Sequence, residues 1–380
     1  MRAGRRIPVG PGARDFRSRL EEGPVCFSAP CRVDVGGTLD IRTFFYPLRA
    51  LSPCTVNLAL DLRTTVRLEP YAAGRVKVSS RGFPAADFAL ARAPFRHPLG
   101  LCFALAALFE AGGVHIRIHS ASPPRSGLGG SSAAAVALVR ALLEVERRGR
   151  RDVRLHPGRV AQIAQAAEEA VAGVPCGFQD QLAAAFGGIH CWEWSALTPE
   201  RPFRRRVLLR GERARGLASC LLLAYLGVPH VSADVNGRWI REFLAGGRRA
   251  AWREIAALSR GFAAALERGD LERAAEAIHR ETAIRRRMTP EVVDALGGRL
   301  IAAARRRGCG ARFSGAGAGG CLWALGPPAA IAALRGDWAE LLARRPGAGL
   351  LPVGIALRGL RAEGENARGG PPRADFSLGI

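Results

Sequence analysis

The chain has 380 residues, enough for two domains, and 48% of them are apolar, which supports a sizeable core and argues against a disordered protein. The formal net charge is +23, and Lys77 is the single lysine, so arginine carries nearly all of the positive charge. No apolar run is long enough to cross a bilayer, and the nine cysteines form no CxxC pair. These features argue against a membrane-spanning chain and a small disulfide-bonded scaffold.

The first half of the sequence predicts a mixed domain over residues 24–205. Residues 1–23 are rich in arginine and lack an apolar segment, so we expect a disordered extension rather than a signal peptide. Runs of β-branched residues between glycines and prolines predict strands over 24–90. The pattern then predicts helices at 97–111, 131–148 and 157–172, a short helix at 181–188, and strands at 114–121 and 189–194.

The Arg- and Pro-rich stretch 196–216 is typical of a domain boundary, and a second domain is expected over 216–360. Mixed strands and helices in both halves predict two α+β domains. Residues 361–380 are expected to be a flexible tail. The second half predicts strands at 217–227 and 350–357, helices at 232–245, 250–268, 270–287, 290–307 and 327–345, and a glycine-rich loop at 314–320.

Short arginine runs occur at 204–206, 285–287 and 305–307. Clustered arginines can neutralise phosphates, so nucleic-acid binding is one interpretation. The sequence has no basic tail, zinc finger or basic motif interleaved with aromatic residues. We therefore interpret the runs as solvent-exposed helix faces or segment ends and expect no specific nucleic-acid partner, although the positive charge would attract anionic small molecules.

The segment "PPRSGLGGSSAAAVAL" (123–138) has the composition of a phosphate-binding loop before a helix. Its glycines allow backbone N–H groups to approach an anion, and its serines fall at the helix start, where free N–H groups favour phosphate. A glycine-rich turn with serine caps is the alternative. The residues concerned are Gly127, Gly129, Gly130, Ser131 and Ser132.

The segment "EEAVAGVPCGFQDQ" (168–181) places Glu168 and Glu169 in the last turn of a predicted helix, with Asp180 shortly after. The helix dipole disfavours acids there by about 0.3–1 kcal/mol each, and a bound cation would compensate. Helical periodicity predicts that Glu168 lies at the margin of the buried face and Glu169 points to water. That face is formed by Val160, Ile163, Ala164, Ala167 and Val171.

Together these segments resemble the GHMP kinases. "APCRVDVGGTLD" (29–40), "PRSGLGGSSA" (124–133) and "FSGAGAGGCLWAL" (313–325) are similar to the three family motifs in order, and 168–181 is similar to a galactokinase stretch. The similarity covers about residues 25–358. It implies the two-domain GHMP kinase fold, with an N-terminal ribosomal-protein-like α/β domain that has a left-handed β-α-β unit and a C-terminal ferredoxin-like α+β domain.

The resemblance, which includes galactokinase and heptose-phosphate kinases, implies an ATP- and Mg²⁺-dependent enzyme that phosphorylates a hydroxyl, above all the anomeric one, of a sugar or sugar phosphate. It implies that Asp180 and Arg32 are catalytic and that Ser132 and Glu168 bind the metal. It implies substrate contacts from Asp40, Gly315, Gly317 and Gly319, and nucleotide contacts from Pro124, Gly127, Leu128, Gly129, Gly130, Ser131 and Ser132.

Two alternatives stay open. The first is a kinase for a non-sugar alcohol, such as a mevalonate- or homoserine-like acid. The segment "GGTLD" (36–40) differs from the corresponding sequence motifs of sugar kinases. A non-catalytic ligand-binding or nucleic-acid-binding protein on the same scaffold is the other, although the presence of all four metal-binding and catalytic residues favours an enzyme. The scattered cysteines predict free thiols and a cytoplasmic protein. We expect a monomer or homodimer without a membrane partner, and we interpret His230 as a loop histidine.

Overall fold

The computed structural model describes residues 15–148, 156–195, 202–229 and 235–364, which form two sheets covered by helices. The helices are α1 (Phe16–Glu21), α2 (Arg42–Phe45), α3 (Gly100–Leu108), α4 (Gly130–Arg147), α5 (Pro157–Ala172), α6 (Gln179–Phe186), α7 (Gly211–Gly216), α8 (Val235–Leu244), α9 (Arg249–Arg268), α10 (Leu271–Met288), α11 (Ala295–Arg306) and α12 (Pro328–Leu342). The strands are β1 (Val25–Val35), β2 (Cys54–Pro70), β3 (Arg75–Ser80), β4 (Phe83–Ala89), β5 (Val114–Ser120), β6 (Ile189–Trp194), β7 (Phe203–Leu209), β8 (Leu221–Leu226), β9 (Gly310–Phe313), β10 (Cys321–Leu325), β11 (Ala348–Leu351) and β12 (Arg361–Ala362).

The first sheet is organised around the long strand β2. Strand β1 pairs with β2 along its length, β6 pairs with the first half of β2, and β5 pairs with the second half. The strand order is β12-β1-β2-β5-β3-β4, with β7 outside β6. The pair β3 and β5 is parallel and the other pairs are antiparallel. Helices α3 to α6 contribute to the core on this sheet, which includes Phe103, Val136, Leu142, Val160 and Leu182.

The second sheet has the antiparallel order β11-β8-β10-β9. In chain order this is 4-1-3-2, with helices between its first and second strands and between its third and fourth, as in a ferredoxin-like domain. The two sheets share a core in which Val33 and Leu58 of the first sheet join Leu223 and Trp323 of the second. This confirms the expected two-domain α+β fold and places β1 next to the C-terminal domain.

After β11 the chain returns to the first sheet. Ile355 forms a bridge with Leu60, and Ala356 N–H donates to the carbonyl of Ala59 at 2.9 Å. Arg63 on β2 donates from Nη2 to the carbonyl of Gly359 at 2.6 Å. The strand β12 then pairs with β1, which closes that edge of the sheet.

Three expected boundaries need correction. Residues 16–21 form α1 rather than a disordered extension, because Phe16 and Leu20 are buried in the first core. The strand β7 continues the first sheet beyond residue 205 by pairing with β6, and residues 361–362 form a strand rather than a flexible tail. The rest of both termini and His230 lie outside the described residues.

The structure confirms the free thiols that the scattered cysteines predicted. All nine cysteines are free, and eight are buried. None of the helices in the described part of the chain combines the length and apolar character that crossing a bilayer requires.

Candidate active site

The glycine-rich loop before α4 leaves the start of that helix free of side-chain caps. Gly127 and Gly129 both have φ of 75°, a left-handed conformation that favours glycine. Gly129 is the N-cap residue and has no side chain to occupy the first N–H groups of α4. Ser132 is buried in the first turn, and Leu128 is fully buried in the core that the two sheets share. The loop therefore has the local structure of an anion-binding helix start.

Both domains hold this loop. Arg32 N–H on β1 donates to the carbonyl of Leu128 at 2.9 Å, and Cys321 N–H on β10 donates to the carbonyl of Ser126 at 2.8 Å. The carbonyl of Gly127 accepts from Arg32 Nη1 at 2.6 Å and from Ser314 Oγ at 2.9 Å. The loop is thus fixed at the junction between the two sheets.

Arg32 and Asp180 form a bidentate ion pair beside the loop. Arg32 Nε donates to Asp180 Oδ1 at 2.7 Å, and Nη2 donates to Oδ2 at 2.6 Å. The Arg32 side chain is 5% exposed and that of Asp180 is 25% exposed, so the acid keeps a face toward the cleft. A β-carbon added at Gly129 would lie 3.3 Å from Asp180 Oδ2, which places the carboxylate against the loop. Burial alone would lower the pKa of Arg32, but the negative charges of Asp180 and Asp34 outweigh burial, so the pKa is raised above its ordinary value.

Glu168, at the end of α5, meets the start of α4. Its Oε2 accepts from Ser132 Oγ at 2.9 Å and from Gln181 Nε2 at 2.7 Å. Burial raises the pKa of Glu168 above its ordinary value, although the hydrogen bond from Ser132 opposes this. The hydrogen bond shows that the predicted pair of Ser132 and Glu168 meets in the fold. A nearby cation would stabilise the charged form of this carboxylate.

Asp40 contacts the N-terminal end of α6, the helix that contains Asp180. Its Oδ2 accepts from the N–H groups of Phe178 at 2.7 Å and Gln179 at 3.0 Å, and the residue is 4% exposed. Burial raises the pKa of Asp40 to about 6, against the lowering effect of these backbone bonds. The carboxylate therefore fixes the orientation of α6, a contact that the sequence did not predict.

Family models match both halves of the chain, the GHMP kinases N terminal domain over residues 98–188 and the GHMP kinases C terminal over residues 262–344. The chain belongs to the GHMP kinase family. A comparison with curated proteins gave no match.

Solved structures of GHMP kinases share the fold. Galactokinase from Lactococcus lactis, solved with galactose, aligns at 16% identity over 91% of this chain and 97% of its own, with a TM-score of 0.68. A D-glycero-D-manno-heptose 1-phosphate kinase from Bacteroides thetaiotaomicron aligns at 16% identity over 90% and 99%, with a TM-score of 0.64. Phosphomevalonate kinase from Streptococcus pneumoniae, solved with phosphomevalonate and AMPPNP, aligns at 16% identity over 88% and 100%, with a TM-score of 0.66. At these identities the likeness shows the fold alone.

Helical periodicity predicted that Glu169, the second acid near the end of α5, points to water. In the structure this side chain also contacts other residues. The side chain of Glu169 is 28% exposed, and its Oε2 lies 3.6 Å from Nη1 of Arg42. Its Oε1 accepts from the N–H of Cys176 at 3.3 Å. Glu169 therefore supports the turn between α5 and α6, whereas Glu168 faces the glycine-rich loop of this GHMP kinase.

The glycines of the third GHMP kinase motif do not all lie against the glycine-rich loop before α4. A β-carbon added at Gly315 would lie 3.1 Å from the carbonyl of Gly127, so this residue lies against the glycine-rich loop. β-Carbons added at Gly317 and Gly319 would instead lie 2.6 Å from the carbonyls of Val292 and Pro229. Pro124, at the other end of the first loop, is exposed and contacts the turn at Gly82.

A fully buried group of charges behind the site was missed by sequence reasoning. Asp34 Oδ2 lies 3.2 Å from Arg312 Nη1, and Arg312 Nε donates to Glu281 Oε2 at 2.9 Å. Glu281 Oε1 accepts in turn from Arg285 Nε at 2.5 Å. Arg285 was expected on a solvated helix face, but it is completely buried because Glu281 neutralises it. The flanking arginines at 286 and 287 are exposed, as expected.

Proposed function

We propose that this member of the GHMP kinase family transfers the γ-phosphate of ATP to a hydroxyl group of a sugar or sugar phosphate, with the anomeric hydroxyl as the first candidate. The observation that carries the proposal is the partly exposed carboxylate of Asp180, held in two places by Arg32 and lying against Gly129 of the glycine-rich loop. An acid in that position is next to the place where a bound phosphate chain would end.

The start of α4 would hold the nucleotide phosphates. Its free N–H groups and the dipole of an 18-residue helix favour negative charge. Gly129 and Gly130 leave room for the phosphates, and the hydroxyl groups of Ser131 and Ser132 lie in the same turn. The bound AMPPNP named for phosphomevalonate kinase supports a nucleotide triphosphate as the donor.

Ser132 and Glu168 fit a magnesium ion. Mg²⁺ is usually bound by one or two carboxylates together with substrate phosphates and waters, rather than by an all-protein cage. The described residues contain no group of three or more His, Cys, Asp or Glu side chains that could enclose a metal. Gln181 is 2% exposed and orients Glu168 through its amide N–H. When bound, the ion would neutralise charge on the phosphates.

The chain's own residues would then position the acceptor. The acceptor hydroxyl oxygen forms a bond to the γ-phosphorus, the bond between that phosphorus and the β–γ bridging oxygen breaks, and ADP leaves. Asp180 orients the hydroxyl or accepts its proton. Arg32, held by the carbonyl of Gly127 as well as by Asp180, places a fixed positive charge next to the transferred group.

The proposal is tested by an ADP-release screen over free sugars and sugar phosphates, with phosphorus NMR of any product to locate the new ester. For an acceptor so found, Asp180→Asn should lower kcat by about 10²–10⁴-fold. The variant should remain folded because an asparagine oxygen can still accept from Arg32. The matched control is Asp337→Asn, which changes a similar two-pronged pair with Arg307 on the surface. Undiminished turnover of Asp180→Asn would refute the assigned role.

A non-sugar alcohol is the second candidate acceptor. The phosphomevalonate kinase aligns with a TM-score of 0.66, close to the 0.68 of the galactokinase, so the fold does not favour one substrate class. Mevalonate, phosphomevalonate and homoserine therefore belong in the same screen. ADP release with a hydroxy acid, and with no sugar or sugar phosphate, would favour this candidate.

A further inference from the structure

Arg285 connects the C-terminal domain to the loop that precedes Asp40. Its Nη2 donates to the carbonyl of Gly37 at 2.5 Å, and its Nη1 donates to Thr38 Oγ1 at 3.3 Å. Its guanidinium also lies 4.9 Å from the ring centroid of Trp239 and 5.1 Å from that of Trp252. Contacts with a carbonyl, a hydroxyl and two aromatic rings therefore hold the guanidinium of Arg285 in a single orientation.

The first route from Arg285 to the active site is a series of alternating charges. It passes from Glu281 on α10 to Arg312 on β9, and then to Asp34 on β1. Asp34 Oδ1 lies 3.8 Å from Nη1 of Arg32, which holds Asp180. Because Asp34, Glu281, Arg285 and Arg312 have no exposed side-chain surface, each charge depends on its neighbours for neutralisation.

The second route passes through the loop itself. Thr38 has φ of 80°, an unfavourable conformation for a β-branched residue, so contacts around it must hold the backbone there. Arg285 supplies two of those contacts, at Gly37 and Thr38. Two residues later Asp40 accepts from the N–H groups that begin α6, the helix of Asp180. The two routes start at Arg285 and meet at Asp180.

We propose that Arg285 is a positioning residue, which sets the Gly36–Asp40 loop and, through it, the start of α6 and the carboxylate of Asp180. The inference rests on the proposed function insofar as Asp180 serves the reaction. Its structural content, that a C-terminal-domain arginine controls the order of the first turn of α6, can be measured without any acceptor. The acceptor side of the site would therefore be shaped by α10 as well as by the N-terminal domain.

The test compares backbone hydrogen exchange in the full-length protein and in Arg285→Lys. Lysine keeps the charge, but its three N–H donors share one nitrogen and cannot span Glu281, Gly37 and Thr38 as the three nitrogens of Arg285 do. We expect peptides covering 36–41 and 177–182 to exchange at least about tenfold faster, because their backbone bonds open more often. The dissociation constant of AMPPNP with Mg²⁺ should stay within about twofold of the unmodified value. For an acceptor found in the screen, KM should rise while KM for ATP is unchanged.

The matched control is Arg148→Lys. Arg148 also donates to two backbone carbonyls, those of Arg19 in α1 and of Gly23 just after it, but it lies at the C-terminal end of α4. This variant should speed exchange near those residues and leave 177–182 unchanged. If Arg285→Lys does not fold, Thr38→Ala leaves Arg285 in place and removes the hydroxyl that accepts from Arg285 and donates to Asn236 Oδ1 at 3.5 Å. This variant should give a smaller change with the same pattern.

Unchanged exchange at 177–182 in a folded Arg285→Lys or Thr38→Ala variant would overturn the proposal, as would a uniform rise throughout the chain. The two proposals fail separately. A chain that shows this exchange pattern but phosphorylates no acceptor would refute the kinase proposal alone. A working kinase without the pattern would refute only the role of Arg285.

Discussion

Replacement of Gly177 by alanine tests the contact between Asp40 and α6. Gly177 does not have a positive φ, so alanine can adopt its backbone conformation without strain. The added β-carbon would lie 1.9 Å from Asp40 Oδ2 and 2.5 Å from its Cγ, well inside van der Waals contact. The carboxylate must therefore move, and its hydrogen bonds to Phe178 and Gln179 must break.

The size of the effect follows from those two bonds. A hydrogen bond to a charged group contributes about 1.5–3 kcal/mol, so the loss of both is about 3–6 kcal/mol. The change from glycine to alanine restores about 0.4–1 kcal/mol by restricting the unfolded chain. We expect Gly177→Ala to lower the free energy of unfolding by about 2–5 kcal/mol.

A double-mutant cycle isolates the cause. Urea denaturation is measured for the unmodified protein, Gly177→Ala, Asp40→Ala and the double variant. Because Asp40→Ala removes the carboxylate that the added β-carbon would meet, Gly177→Ala should then change the free energy of unfolding by less than about 1 kcal/mol. An equal loss in both backgrounds would refute the reasoning and would place the restriction in the backbone of the turn.

Two further predictions concern the acids of the site. Glu168→Gln should weaken binding of Mn²⁺ with nucleotide, measured by electron paramagnetic resonance, by at least about tenfold, whereas Glu169→Gln should not; equal effects would contradict the assignment of Glu168. Because the pKa of Asp40 is about 6 in the folded protein against an ordinary 3.8, the folded state binds this proton more tightly, and the contribution of Asp40 to stability falls as pH rises from about 4 to 6. Burial dominates the shift, with Asp180 and Cys176 as the facing titratable groups. The stability of the unmodified protein relative to Asp40→Asn should therefore decrease by about 3 kcal/mol over that range in urea denaturation, and an increase would contradict the shift.

Much of the site was predictable from local pattern because its backbone needs glycine. Gly173 ends α5 with φ of 66°, where the sequence placed the end of the helix, and Gly129 is the N-cap residue of α4. Helical periodicity also selected Glu168 as the inward acid, and its contacts with Ser132 and Gln181 confirm that orientation. These features depend on neighbours within one or two turns, which a sequence shows directly.

The features that the sequence missed depend on distant partners. Glu281 and Arg285 have the i, i+4 spacing of an ordinary exposed ion pair. That spacing does not show that Arg312 on a later strand and the indole rings of Trp239 and Trp252 pack against them. Strand β7 was hidden because its three consecutive arginines mask the alternation of a strand.

The return of the chain end to the first sheet has a consequence for synthesis. The bridge at Ile355 and the pairing of β12 with β1 use residues made more than 300 positions after β1. A nascent N-terminal half on the ribosome therefore has an open β1 edge until residues 355–362 have been made. Gene fragments that stop after the first domain would keep that edge unpaired, which favours aggregation during expression.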